Sequence, residues 1–243
     1  MRVLLYKEIR GFFSSLTGYI VIIVFLVANS LFMWVFPGNL NVLDSGYASL
    51  DSLFTMAPWI FLFLVPAVTM RTFAEEKRAG TLEFLLTKPL SDLQVILAKY
   101  LGALILVLLS LLPCLVYYWS VSTLGNPPGN LDTGGTWGAF IGLFFLAAIY
   151  VAIGVLASAL SENQIIAFIV AVLLSFLLYT GFDYLASLPA LQSFDTFILN
   201  LGINEHYKSI SRGVIDSRDI IYYLSVISMF ILITKIKLQS RNW

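Results

Sequence analysis

Residues 71–99 read RTFAEEKRAGTLEFLLTKPLSDLQVILAK, a charged island between two long apolar runs. The island holds five of the fourteen basic residues: Arg71, Lys77, Arg78, Lys88 and Lys99. Within it, residues 81–87 form a short amphipathic segment between Gly80 and Pro89. The glycine permits a sharp turn, Thr81 is placed to cap a helix N-terminus, and Pro89 ends that helix by disfavouring helical geometry at Lys88. Leu82, Leu85 and Leu86 fall at i, i+3 and i+4, on one face of a helix too short to be stable alone in water. That face needs a surface to bury against. Two are open: the membrane interface, or a groove on a cytosolic protein in the helix-in-groove mode. In the second case Glu75, Glu76, Lys77 and Arg78 supply polar rim contacts.

The flanking runs decide the fold class. The chain has 243 residues, 59% hydrophobic and 12% charged, with a mean hydropathy of +0.90. A soluble domain carries about 25% charged residues, so this composition predicts an all-α polytopic membrane protein forming a single transmembrane domain over 1–243. Stretches near twenty apolar residues suffice to cross a hydrocarbon core of about 30 Å. Six are present: 17–36, 53–72, 100–123, 137–160, 165–186 and 220–236. The first has no small-residue cleavage site and reads as a retained helix rather than a signal peptide. With the N-terminus inside, eleven basic residues lie on the inner side, and only Lys208, Arg212 and Arg218 lie outside. The positive-inside rule then gives N-in and C-in.

Other segments carry weaker signals. Residues 1–16 mix Val3, Leu4, Leu5, Ile9, Phe12 and Phe13 with Arg2, Lys7, Glu8 and Arg10. This is either an amphipathic helix in the inner interface or a plain basic anchor for the first span. The outer segment 187–219 exceeds the usual connection length. In it Phe194, Phe197, Ile198 and Leu201 share a helical face ending at Gly202; a second short helix over 206–212 stops at Gly213, and Asp216 or Ser217 caps the last span. Gly138/Gly142, Gly154/Ser158 and Ala167/Ala171 allow close helix approach. Pro66 and Pro113 predict kinks, and Asn29 predicts a hydrogen bond to a neighbouring helix.

Much chemistry is absent from the sequence. The central parts of the spans hold no ionisable residue of the kind ion-coupled carriers need. The single histidine, His206, lies in an outer segment and reads as an interfacial or hydrogen-bonded residue, not a ligand. Cys114, alone in an apolar span, offers neither a disulfide nor a thiolate metal site. No Gly-rich turn ends in Gly-Lys-Ser/Thr, so no P-loop is present and the energy for any work comes from a partner. The expected reading is not an enzyme, with no catalytic, cofactor-binding or metal residues, and no nucleic-acid partner.

The run Arg71…Glu75-Glu76-Lys77…Gly80-Thr81-Leu82-Glu83…Leu86-Thr87…Pro89, followed by Lys99-Tyr100-Leu101, resembles the hallmark segment of ABC-2-type transporter permeases. Lys7-Glu8-Ile9-Arg10, Ser211-Arg212-Gly213-Val214-Ile215-Asp216…Arg218-Asp219 and the ending Ser240-Arg241-Asn242-Trp243 are similar to the gliding-motility-associated branch. The resemblance implies six helices, a second permease subunit (identical or related), a cytosolic ATPase dimer carrying ATP and Mg²⁺, and short outer helices between the last two spans. It also implies that the coupling loop, 73–98, docks on the ATPase through Glu75, Glu76, Gly80, Thr81, Leu82, Glu83, Leu85 and Leu86. An auxiliary membrane-anchored subunit with a periplasmic portion and a location in the bacterial inner membrane belong to the same implication. The expected function is the permease subunit of an export complex. The alternative is a non-transporting anchor that passes ATPase-driven motion to a periplasmic partner. An ATP-independent channel fits the charge-free spans and the elaborate loop less well.

Overall fold

A computed structural model describes residues 1–87 and 89–240, apart from the side chains of Leu86 and Gln192. Among these residues every regular element is helical. In hydrocarbon each backbone N–H and C=O must be paired within the protein, and a helix does this within one segment. Helix α1 (Arg2–Ser14) precedes the first long helix, α2 (Leu16–Val35). Then come α3 (Asp51–Thr69), the short α4 (Ala74–Arg78) and α5 (Leu82–Leu86), and α6 (Asp92–Leu124). Helices α7 (Thr133–Leu160), α8 (Gln164–Ala186), α9 (Asp195–Leu199), α10 (Ile203–Ser211) and α11 (Ser217–Gln239) complete the chain. Helices α2, α3, α6, α7, α8 and α11 are long and apolar enough to cross a membrane, matching the six expected spans.

Several spans start earlier than the hydrophobic pattern alone indicates, because polar caps set their ends. Ser91 and Gln94 form a reciprocal capping box before α6. Asp132 caps α7, Asn163 caps α8 and Asp216 caps α11. Pro113 breaks α6 into a 3₁₀ turn at Leu112–Cys114, whereas α3 runs on through Pro66.

Helix α7 is the axis of the bundle. Its 28 residues extend about 42 Å at 1.5 Å per residue, and 78% of its apolar span is buried, against 22–28% for α2, α8 and α11. It packs against α3, α6, α8, α10 and α11. Small residues make this possible: a methyl group at Gly154 would overlap Thr69 Oγ1, and one at Gly138 would lie 2.6 Å from the Ile210 carbonyl oxygen. Ala167 and Ala171 are fully buried on α8.

Three local expectations are corrected. Asn29 bonds within its own helix, Nδ2 donating to the Phe25 carbonyl at 2.8 Å, and its Oδ1 is buried without a hydrogen-bond partner. The apolar 194–201 face does not form one helix, because a 3₁₀ segment at Pro189–Phe194 takes up Phe194 and leaves α9 only five residues. The following helix starts at Ile203, three residues before His206, and ends at Ser211; Gly213, at φ +84°, makes the expected stop. The Ser240-Arg241-Asn242-Trp243 ending lies, from Arg241 on, outside the described residues, as does Lys88.

The chain reverses direction at each span. Helix α1, the end of α11 and the 71–91 connection therefore share one end, which carries most of the basic residues. Residues 37–50, 125–132 and 187–216 share the other.

Candidate functional site

At the basic end, α3 stops at Thr69 and the chain turns through Met70–Phe73 before α4. This turn strands two backbone amides beneath the surface. Ser158 of α7 satisfies both: its Oγ accepts from Phe73 N (2.9 Å) and Ala74 N (3.0 Å) and donates to the Met70 carbonyl (2.9 Å). Lys77 Nζ donates to the carbonyl of Ala159 near the C-terminus of the same helix, where the helix dipole favours a cation. The connection is therefore riveted to α7.

Helix α4 ends in a Schellman arrangement, with Thr81 N donating to Glu76 O (2.9 Å) and Gly80 N to Lys77 O (3.1 Å). Gly80 is left-handed at φ +66°, as this reversal requires. Thr81 does not use its side chain as the expected cap of α5; the hydroxyl instead donates to the Glu76 carbonyl. The capping oxygen is diverted by the turn that precedes the helix.

Beneath the connection lies an ion cluster whose members come from three elements. Lys99 of α6 is 1% exposed, and its Nζ is 2.9 Å from Glu76 Oε1 and 3.3 Å from Glu8 Oε1 of α1. Lys7 joins the same two oxygens at 3.2 Å and 3.5 Å. The Lys99 ammonium also lies over the Phe73 ring, 5.2 Å from its centroid. Two cations thus face two anions. Partial burial opposes the charge on Lys7, but Glu8 and Glu76 together outweigh it and raise its pKa above the ordinary lysine value of 10.5. Packing beside the cluster is tight, since a methyl at Gly102 of α6 would lie 2.9 Å from Glu8 Cβ.

These contacts sort the residues expected to meet a partner. Glu75, Gly80, Thr81 and Glu83 are exposed. Glu76 is turned inward into the ion cluster, and Leu82 is 5% exposed, part of the chain's own apolar core. Leu85 is half-buried, and the Leu86 side chain lies outside the described residues. Among the described side chains of α5, the large apolar group left uncovered is Phe84, 72% exposed. Phe84 and Leu85 line a groove of about 710 Å³ between the connection and α1, together with Phe12, Thr17, Arg71 and Glu75. Arg71 spans its edge, Nη1 donating to Thr17 Oγ1 at 3.0 Å.

The opposite end holds a cavity of about 750 Å³ lined by Asp51, Trp59, Asp132, Asp183, Tyr184 and Lys208, among others. Its carboxylates are partly committed to the fold, although Asp183 Oδ1 is buried without a hydrogen-bond partner among the described residues. Asp132 accepts from Gly135 N at the α7 N-terminus, Asp51 lies in the first turn of α3, and Asp183 accepts from Asn204 and pairs with Lys208 at 3.8 Å. His206 is also structural: Nδ1 meets Asp219 (2.7 Å), Nε2 meets the Asn200 carbonyl (2.9 Å), and the ring stacks on Tyr222. Among the described residues no group of His, Cys, Asp and Glu is arranged to hold a metal.

Six apolar spans and a rigidly held connection at one end of the bundle fit a membrane subunit driven from outside the bilayer. A family profile described as ABC-2 family transporter protein matches residues 36–202. The chain belongs to the ABC-2 transporter family. This ABC-2 permease is accordingly the transmembrane subunit of an ABC transporter, a component that carries no ATPase of its own and works in the lipid bilayer with an ABC ATPase. The match runs from α3 to α9, taking in the 71–91 connection, and leaves out α1, α2, α10 and α11. A comparison with curated proteins returns no significant match.

Sequence reasoning did not reach the Lys99 cluster or the Ser158 hub. One signal for the first was present: Lys99 stands among apolar residues, where a buried lysine calls for carboxylate partners. The second had none, because a serine at four-residue spacing from a glycine reads equally well as plain helix packing.

Proposed function

We propose that the basic end faces the cytosol and that the 71–91 connection is the seat on which the ATPase, charged with ATP and Mg²⁺, drives export. The observation that carries this reading is Phe84, an aromatic side chain left 72% exposed on a five-residue helix whose first residue, Leu82, is buried against the bundle. Among the described side chains of this short helix Phe84 is the bare apolar one, and with exposed Glu75, Glu83 and Arg78 around it the helix suits a shallow cleft with a polar rim. Leu82 and Glu76 serve the same function from inside, holding α5 against the bundle so that force on Phe84 reaches the spans. Closure of the ATPase dimer would displace the connection, and α7 with it, and so reshape the path along a second permease subunit. Among the described residues, nine basic residues lie at this end against three at the other, a distribution that supports the orientation.

The Lys7-Glu8-Ile9-Arg10 run and the stretch from Ser211 to Asp219 support a place in the gliding-motility-associated branch, with an auxiliary periplasmic subunit and the bacterial inner membrane as its setting. The lack of ionisable residues at the centre of the spans also suits the second reading, an anchor that transmits motion without cargo. Phe84→Asp tests the seat: recovery of the ATPase with the purified permease should fall at least tenfold while membrane insertion is unchanged. Full recovery overturns the reading.

A further inference from the structure

We infer that the face of α1 turned away from the bundle is a binding surface for anionic lipid headgroups. The inference concerns a different partner from the ATPase seat and does not depend on it. Helix α1 is committed on one side only. Leu4, Leu5, Glu8 and Phe12 point toward the bundle, where α1 packs along α6. On the other side Val3, Tyr6 and Arg10 follow one another at helical spacing, flanked by Arg2, and all four are exposed. Val3 is 85% exposed and Tyr6 66%, so the stripe joins an aliphatic side chain and an amphipathic ring to two guanidinium groups. Among the described residues neither Arg2 nor Arg10 has an ion-pair partner, although Lys7, between them in sequence, has two.

Chain continuity places this stripe at the membrane surface. Only Ser15 separates α1 from α2, and α2 is apolar from its first residues, so α1 emerges at the level where hydrocarbon gives way to headgroups. A helix there with basic and apolar groups on one face immerses the apolar groups and sets the basic ones against phosphates. Tyrosine is enriched at that depth, and guanidinium pairs with phosphate bidentately. The occupant chosen by this chemistry is a bilayer surface bearing anionic phospholipid, in preference to the shallow protein cleft suited to α5.

The test uses the full permease with its ATPase in nanodiscs of phosphatidylcholine, with or without phosphatidylglycerol. A bimane fluorophore is attached at Val3→Cys; the native thiol, Cys114, is fully buried and does not compete for label. Nitroxide carried near the headgroup of a tracer lipid reports contact by quenching. Quenching should be stronger with phosphatidylglycerol and should weaken as salt is raised. The preference for the anionic bilayer should drop about five-fold for each of Arg2→Gln and Arg10→Gln. Equal quenching in both compositions, or a preference untouched by the double substitution, overturns the inference. Quenching that is absent until the ATPase is removed also overturns it, because protein would then cover the face.

Discussion

Replacing Lys99 with methionine tests whether the ion cluster at the base of the connection behaves as a buried unit. The ammonium is 1% exposed and lies 2.9 Å and 3.3 Å from two carboxylates that are themselves only 16% and 13% exposed. Methionine keeps most of the apolar stem, so the change isolates the charge. Without Lys99, Glu8 and Glu76 share a single cation, Lys7, whose side chain is 63% exposed. Ion pairs at an exposed surface contribute about 0–1 kcal/mol, whereas removing one partner of a buried pair costs about 3–5 kcal/mol because the remaining charge stays desolvated. The burial of Lys99 selects the second figure. Unfolding of the permease by a denaturing detergent, followed by fluorescence, should therefore register a loss of about 3–5 kcal/mol. Adding Glu8→Gln restores one cation to one anion and should recover a substantial part of that loss, a coupling visible in the double-mutant cycle. A loss near 1 kcal/mol or less, or a double variant no more stable than the single, would refute the reasoning.

Other consequences are open to measurement. Ser158→Ala orphans the amides of Phe73 and Ala74, at a cost of about 1–3 kcal/mol for each buried group left unpaired; hydrogen exchange at those two amides should accelerate while α7 stays protected. Gly154→Ala forces α7 away from Thr69 and should destabilise by about 1–3 kcal/mol, with partial recovery when Thr69→Ala is added, read as thermal midpoints in nanodiscs. The raised pKa of Lys7 fixes a sign as well. Its stabilisation is complete below the ordinary value of 10.5 and fades only as pH rises through the higher folded value. Lys7→Gln should therefore destabilise equally in neutral and mildly alkaline buffer; an effect that shrinks between the two would contradict the cluster.

The spans were legible because hydrocarbon imposes one demand on every residue it touches, and a run such as Trp137 to Leu160 meets it visibly. Caps were legible where a polar residue met the start of such a run, as at Asp216. The connection was read only halfway. The spacing of Leu82, Leu85 and Leu86 identifies an apolar face but not the body that covers it, and Leu82 is covered by the chain itself. Glu76 reads as a rim residue because its partners, Lys99 and Lys7, both directly paired with it, lie far away in sequence. Thr81 was read as a cap because local sequence does not reveal that its hydroxyl turns back to the Glu76 carbonyl. The Leu82 and Glu76 misses are tertiary contacts between groups with no regular spacing, and the Thr81 miss is a local turn that competes for the capping oxygen.

The rivet at Ser158 has a mechanical meaning. A connection fastened only to the helices it joins would pass displacement to α3 and α6. Here three hydrogen bonds from one hydroxyl, with the Lys77 contact beside them, fasten it to α7, the helix with the most neighbours to carry along. Under the proposed function, a push at the basic end would enter at the hub of the bundle instead of its rim. Gly138, near the far end of the same rod, sits against Ile210 and Gly213 with no slack. Under the proposed function, a displacement at one surface would be carried along this rod toward the other.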